Sequence, residues 1–144
     1  MIIVSSLWQA DDAIRDFNVR HVISLNDPGS VPPPMLSISK ANRICVEFHD
    51  VTKETTNQIA PTIEDIETII SFGRGVLDGG DPVLIHCVAG VSRSTAAGLI
   101  LAASYNKVEP DELVKLLRCK APYSQPNTLM VQLGDSSLGL NYYT

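Results

Sequence analysis

The segment His86-Cys87-Val88-Ala89-Gly90-Val91-Ser92-Arg93-Ser94 sets a thiol and a guanidinium at the two ends of a short stretch with a glycine between them. An apolar run, VLIH at 83–86, comes before it, and an alanine-rich helical pattern follows. Between a strand and a helix, such a loop turns successive backbone N–H groups inward and makes a nest for an anion. The following helix points its positive end at the same spot. Gly90 tolerates backbone angles that other residues resist. Arg93 offers a planar fork that holds two oxygens of a tetrahedral anion at once. Cys87 stands at the floor among the same donors, which favour its thiolate. Phosphoryl chemistry at sulfur is what this set can do, and it requires a sulfur that substrate can reach. A cysteine serving packing alone would have no use for Arg93 and Gly90.

The elements that must position these groups are legible as patterns. MIIVSSL (1–7) reads as an edge strand, HVISL (21–25) as a buried strand and ICVEF (44–48) as a third, with Cys45 a core position. VLIH reads as the central strand of a parallel sheet. Ala13, Ile14 and Phe17 share one face of a short helix. Thr62 and Asp65 resemble a capping box, opening a helix whose core stripe is Ile63, Ile66, Ile70, Gly73 and Leu77. A helix from about Ser94 is apolar around nearly its whole circumference. Pro110 opens another, with Leu113, Leu116 and Leu117 inward and Cys119 packed near its end. A last helix runs from about Asn127 to about Leu133 or slightly beyond. The fold class is α/β, a central mainly parallel four- to five-stranded sheet flanked by helices, in a single domain over 1–144. In such sheets ligands lie outside the carboxyl ends of the strands. Asn26-Asp27, His49-Asp50 and Cys87 all fall at such ends.

Composition narrows the partners. The chain has 144 residues, a net charge of −5 and a pI near 5.0. With no basic strip, neither nucleic acid nor membrane is expected as a partner. The three cysteines, Cys45, Cys87 and Cys119, form neither a disulfide framework nor a zinc pattern. No metal and no cofactor are expected. The start of the chain lacks the positively charged region of a leader, and no apolar run reaches membrane-spanning length. A soluble, cytoplasmic monomer is the expectation, since a reducing compartment preserves a thiolate.

The Cys-x5-Arg-Ser stretch at 87–94, preceded by His86, resembles the signature of the protein-tyrosine phosphatase superfamily. The length and lack of elaboration look like its small dual-specificity branch. That resemblance implies a cysteinyl-phosphate mechanism, with Cys87 as nucleophile and Arg93 as phosphate clamp. Ser94 is implied as the hydroxyl that stabilises the departing thiolate, and His86 as an organiser of the loop. Val88, Ala89, Gly90, Val91, Ser92 and Arg93 would bind the phosphoryl group. The family's general acid is an aspartate upstream of the cysteine; Asp50 matches best and Asp27 is the reserve. Ser94 and Asn127 also read as helix caps, and Gln125 and Asn127 as pocket lining. A disulfide between Cys45 and Cys87 is a further option. The implied substrate is a phosphomonoester, foremost phosphotyrosine in proteins, with phosphoserine and phosphothreonine admitted if the pocket is shallow. The uncharged Val88–Ser92 disfavours inositol lipids. A catalytically silent phosphate-binding module is the alternative, and sulfur transfer or arsenate reduction on a similar loop a third.

Overall fold

A computed structural model of the chain describes residues 1–88, 92–106 and 125–139. Four strands form one sheet: β1 (Ile2–Ser5), β2 (His21–Asn26), β3 (Arg43–Glu47) and β4 (Val83–His86). Their order is β1-β4-β2-β3, and every pairing is parallel. The α/β expectation holds, with four strands among the described residues. Parallel neighbours need crossovers, which here are mostly helical. α1 (Ala10–Asp16) links β1 to β2, and α2 (Ile63–Asp78) links β3 to β4. α3 (Arg93–Asn106) leaves the carboxyl end of β4, and α4 (Thr128–Leu138) packs against α2 and α3.

Alternation along the strands divides the core in two. Ile23, Leu25, Val46, Val83 and Ile85 face α2, α3 and α4. Val22 and Leu84 face α1 and the loop bearing Met35 and Ile38. β4 is buried at all four positions, as a strand covered on both faces must be.

The capping box of α2 forms in full: Asp65 N–H donates to Thr62 Oγ1, and Thr62 N–H to Asp65 Oδ2. Its buried stripe is Ile66, Ile69, Gly73, Val76 and Leu77, rotated from the expected one, with Ile63 and Ile70 only half-buried. Gly73 belongs to both stripes and lies against Leu101 of α3, whose Cδ2 is 2.5 Å from where a Cβ on Gly73 would stand. α4 continues past Leu133, as far as Leu138, and ends at a left-handed Gly139. The helix read at Pro110, and Cys119 with it, lie outside the described residues.

Cys45 corrects another expectation, for it is exposed. Its register partner is Ser24, on the sheet face opposite to Cys87's cluster. β2 also stands between β3 and β4, so the two chains are roughly 9–10 Å apart. A disulfide needs Cα atoms about 4.4–6.8 Å apart. The Cys45–Cys87 bridge is therefore excluded without rearrangement.

Candidate active site

Cys87 follows the last residue of β4, so the sheet delivers its sulfur to the carboxyl rim. α3 starts at Arg93, and Ser92 O accepts the N–H of Ala96 at 3.1 Å. The first turn of α3 therefore lies directly beyond the loop. Cys87 Sγ and Ser94 Oγ are 3.2 Å apart. When the sulfur is a thiol it donates; when it is a thiolate the hydroxyl donates to it. Ser94 has no exposed surface, so its hydroxyl is held toward the sulfur and not toward water. Cys87 itself is 3 % exposed, less open than the simple expectation of a reachable sulfur. It stands at the first position of the loop, directly after β4. Within that loop Val88 is exposed and its carbonyl accepts from Leu7 N–H at 3.0 Å, tying β1 to the rim. Ala89, Gly90 and Val91 lie outside the described residues.

Arg93 is buried and fixed at two points: Nη1 donates to Asp27 Oδ1 and to the Phe48 carbonyl, both at 2.8 Å. Its Nε is buried with no hydrogen-bond partner among the described residues. A buried guanidinium N–H left without an acceptor costs free energy, about 1–3 kcal/mol or more for a charged group. A bound oxyanion at that nitrogen would remove the cost. Asp27 thus orients the guanidinium, a role the sequence reading did not give it when it stood as reserve acid. Its place at the end of β2, one rim with Cys87, was the available signal.

Asp50 lies just past β3 and reaches the same loop. Its Oδ1 accepts from Ser92 Oγ at 2.7 Å and from Asn127 Nδ2 at 2.8 Å. Both donors converge on one oxygen, so a proton carried by Asp50 would sit on Oδ2. Ser92, read from sequence as part of the phosphate cradle, has its hydroxyl turned to Asp50. Asn127 performs two tasks: Oδ1 caps α4 by accepting from Met130 N–H at 3.0 Å, and Nδ2 holds Asp50 and the Val51 carbonyl. Gln125 is exposed and makes no described contact with the site.

His86 stands under the loop with no exposed surface. Burial pushes its pKa below the usual 6.5, the positive charge of Arg43 lowers it further, and the contact with the Cys87 carbonyl opposes both. A neutral ring cannot serve as a cationic phosphate ligand, so His86 is structural to the loop. Among the described residues no cluster of His, Cys, Asp and Glu could hold a metal ion.

With this geometry in hand, similarity to known proteins is informative. Residues 3–136 match the family described as dual specificity phosphatase, catalytic domain. Dual specificity protein phosphatase MPK-4 of Drosophila melanogaster is 23 % identical over 116 residues, covering 81 % of this chain and 28 % of that protein. The chain thus spans little more than a quarter of that relative's length. A crystal structure of DUSP15 superposes with a TM-score of 0.77 at 17 % identity, covering 99 % of this chain and 85 % of the other. One of PTPMT1 in complex with PI(5)P gives 0.74 at 17 % identity, covering 96 % and 90 %. At such identities the two structures speak to the fold.

Proposed function

Because the chain belongs to the dual specificity phosphatase catalytic-domain family, we propose that it hydrolyses phosphomonoesters, foremost phosphotyrosine in proteins, through a cysteinyl-phosphate on Cys87. The observation that carries this reading is the Cys87 sulfur paired with Ser94 at the start of α3, the helix whose Arg93 has a buried Nε unpartnered among the described residues. In the first step the Cys87 thiolate attacks phosphorus in line, an S–P bond forms and the ester P–O bond breaks. Asp50 gives its proton to the departing oxygen, which spares the expulsion of an alkoxide or phenoxide. Arg93 and the loop amides hold the equatorial oxygens, where charge is greatest in the transition state. In the second step water attacks phosphorus, Asp50 takes its proton, and the S–P bond breaks to return thiolate and inorganic phosphate. Ser94 Oγ–H then donates to the departing sulfur, for which its 3.2 Å placement is suited.

A silent binding module is disfavoured by the held Asp50, since a protein that only bound phosphate would have no use for a positioned carboxylate there. The uncharged Val88 to Ser92 favours a peptide over an inositol phosphate, whose several negative charges would call for added positive charge around the loop. A reducing compartment such as the cytoplasm suits the thiolate. The test is turnover of an aryl phosphate and of phosphotyrosine, phosphoserine and inositol phosphate substrates. Cys87→Ser should abolish turnover while phosphate still binds. Asp50→Asn should slow poor leaving groups by about a hundredfold or more, and activated aryl phosphates far less. Full activity of Cys87→Ser would end this reading.

A further inference from the structure

On the sheet face that carries α1, a line of hydrogen bonds crosses three strands toward the nucleophile. Arg43, at the start of β3, donates from Nη1 to the Pro33 carbonyl at 2.7 Å and from Nε to Ser24 Oγ on β2 at 2.9 Å. Ser24 Oγ is 2.7 Å from His86 Nε2 on β4, and His86 Nδ1 is 3.3 Å from the Cys87 carbonyl oxygen. Neither Ser24 nor His86 has any exposed surface.

The donors fix the protons. A carbonyl only accepts, so His86 Nδ1 carries the ring proton if that contact is a hydrogen bond. The neutral ring then offers a lone pair at Nε2 and needs a donor. Arg43 only donates, so it takes a lone pair of Ser24 Oγ and leaves the hydroxyl proton to point at Nε2. The reverse tautomer would set two donors on Ser24, strand the hydroxyl proton, and face the Nδ1 lone pair toward the carbonyl. Burial, the first cause, and the charge of Arg43 both work against a cationic ring. Arg43 Nη2 is moreover buried with no partner among the described residues. Packing alone would be served better there by an apolar side chain.

We propose that Arg43 is a positioning residue for the nucleophile: through Ser24 it holds His86 in the Nδ1-protonated tautomer, and His86 holds the Cys87 carbonyl at the root of the phosphate loop. The role rests on Cys87 being the nucleophile, whereas the tautomer is read without turnover, so the two claims fail separately. Nitrogen NMR of the ring in the whole protein, assigned with His86→Asn, should show protonation at Nδ1. Arg43→Met should shift the ring toward the Nε2-protonated form. It should lower kcat about fivefold to tenfold, the scale of one lost hydrogen bond, with KM changed by less than about twofold. Arg43→Lys, which keeps a donor toward Ser24, should recover most of the rate. An Nε2-protonated ring in the unaltered protein would overturn the proposal even if no variant folded. So would an Arg43→Met protein whose tautomer, or whose kcat, is unchanged.

Discussion

Asn127 joins three segments through one side chain, and its two ends can be separated by substitution. Asn127→Ala removes the α4 cap, a loss of about 1 kcal/mol, and frees Asp50 at the same time. Asn127→Asp keeps an oxygen for Met130 N–H but sets a carboxylate 2.8 Å from Asp50 Oδ1 where an amide donor stood. We expect Asn127→Ala to lower both thermal stability and kcat. Asn127→Asp should keep more of the stability yet lose kcat for poor leaving groups by about tenfold or more. Thermal melts beside leaving-group kinetics measure both. A second test concerns access to the sulfur. Iodoacetate should label exposed Cys45 whether or not vanadate is present, but label Cys87 only when vanadate is absent. Lack of Cys87 labelling in the free native protein would contradict a reachable nucleophile. The placement of Cys87 and Asp50 just past strand ends, and of Arg93 at the start of α3, could be read from residue types and spacing, because strand and helix ends are local signals. Asp27 on Arg93 and Arg43 on Ser24 could not, since each contact spans strands whose neighbours the sequence leaves open. Cys45 was misread for the same reason: an edge strand leaves one face bare, and β3 gave no sign of its edge position.

At the scale of elements, α3 is the piece on which the site depends. It is buried by α2 on one side and α4 on the other, and glycines let both approach. A Cβ on Gly134 of α4 would stand 2.6 Å from Ile100 Cγ1. The β-branched Ile100 has little rotamer freedom in a helix, so it cannot step aside. Gly134→Ala should therefore destabilise by about 1–3 kcal/mol through overpacking, offset by less than about 1 kcal/mol of helix propensity. Gly75 in α2 has nothing within 4 Å of its Cβ position. Gly75→Ala should stabilise by about 0.5–1 kcal/mol. Urea unfolding of the two variants should give shifts of opposite sign. The start of α2 was legible because a capping box is a local signal. Its buried stripe was legible only at Ile66, Gly73 and Leu77, because packing against the sheet, α3 and α4 at once, which also buries Ile69 and Val76, is not a local signal.

Across the whole molecule, the parallel sheet brings Asp27, Asp50 and Cys87 from three strand ends to one rim, and a buried neutral histidine lies beneath. The pKa of His86 is lowered in the folded state, so the unfolded chain takes up its proton first as pH falls below 6.5. The stability this group contributes is full above that pH and is lost as pH falls toward the lowered folded value. His86→Asn should flatten that part of the pH dependence of the urea midpoint; an unchanged slope would contradict a buried neutral ring. The sequence showed the parallel sheet and the shared rim, since strand ends and turns are local. Strand order was beyond it, as pairing depends on crossovers through the core.

One measurement bears most directly on covalent catalysis at the sulfur. Asp50→Asn protein, whose second step should be slow, is mixed with an activated aryl phosphate, quenched in acid and digested, and the peptide that spans Cys87 is weighed. A phosphoryl group on Cys87, absent from Cys87→Ser, is the predicted result. Rapid turnover with that peptide unmodified, or phosphate found on another residue, would contradict it.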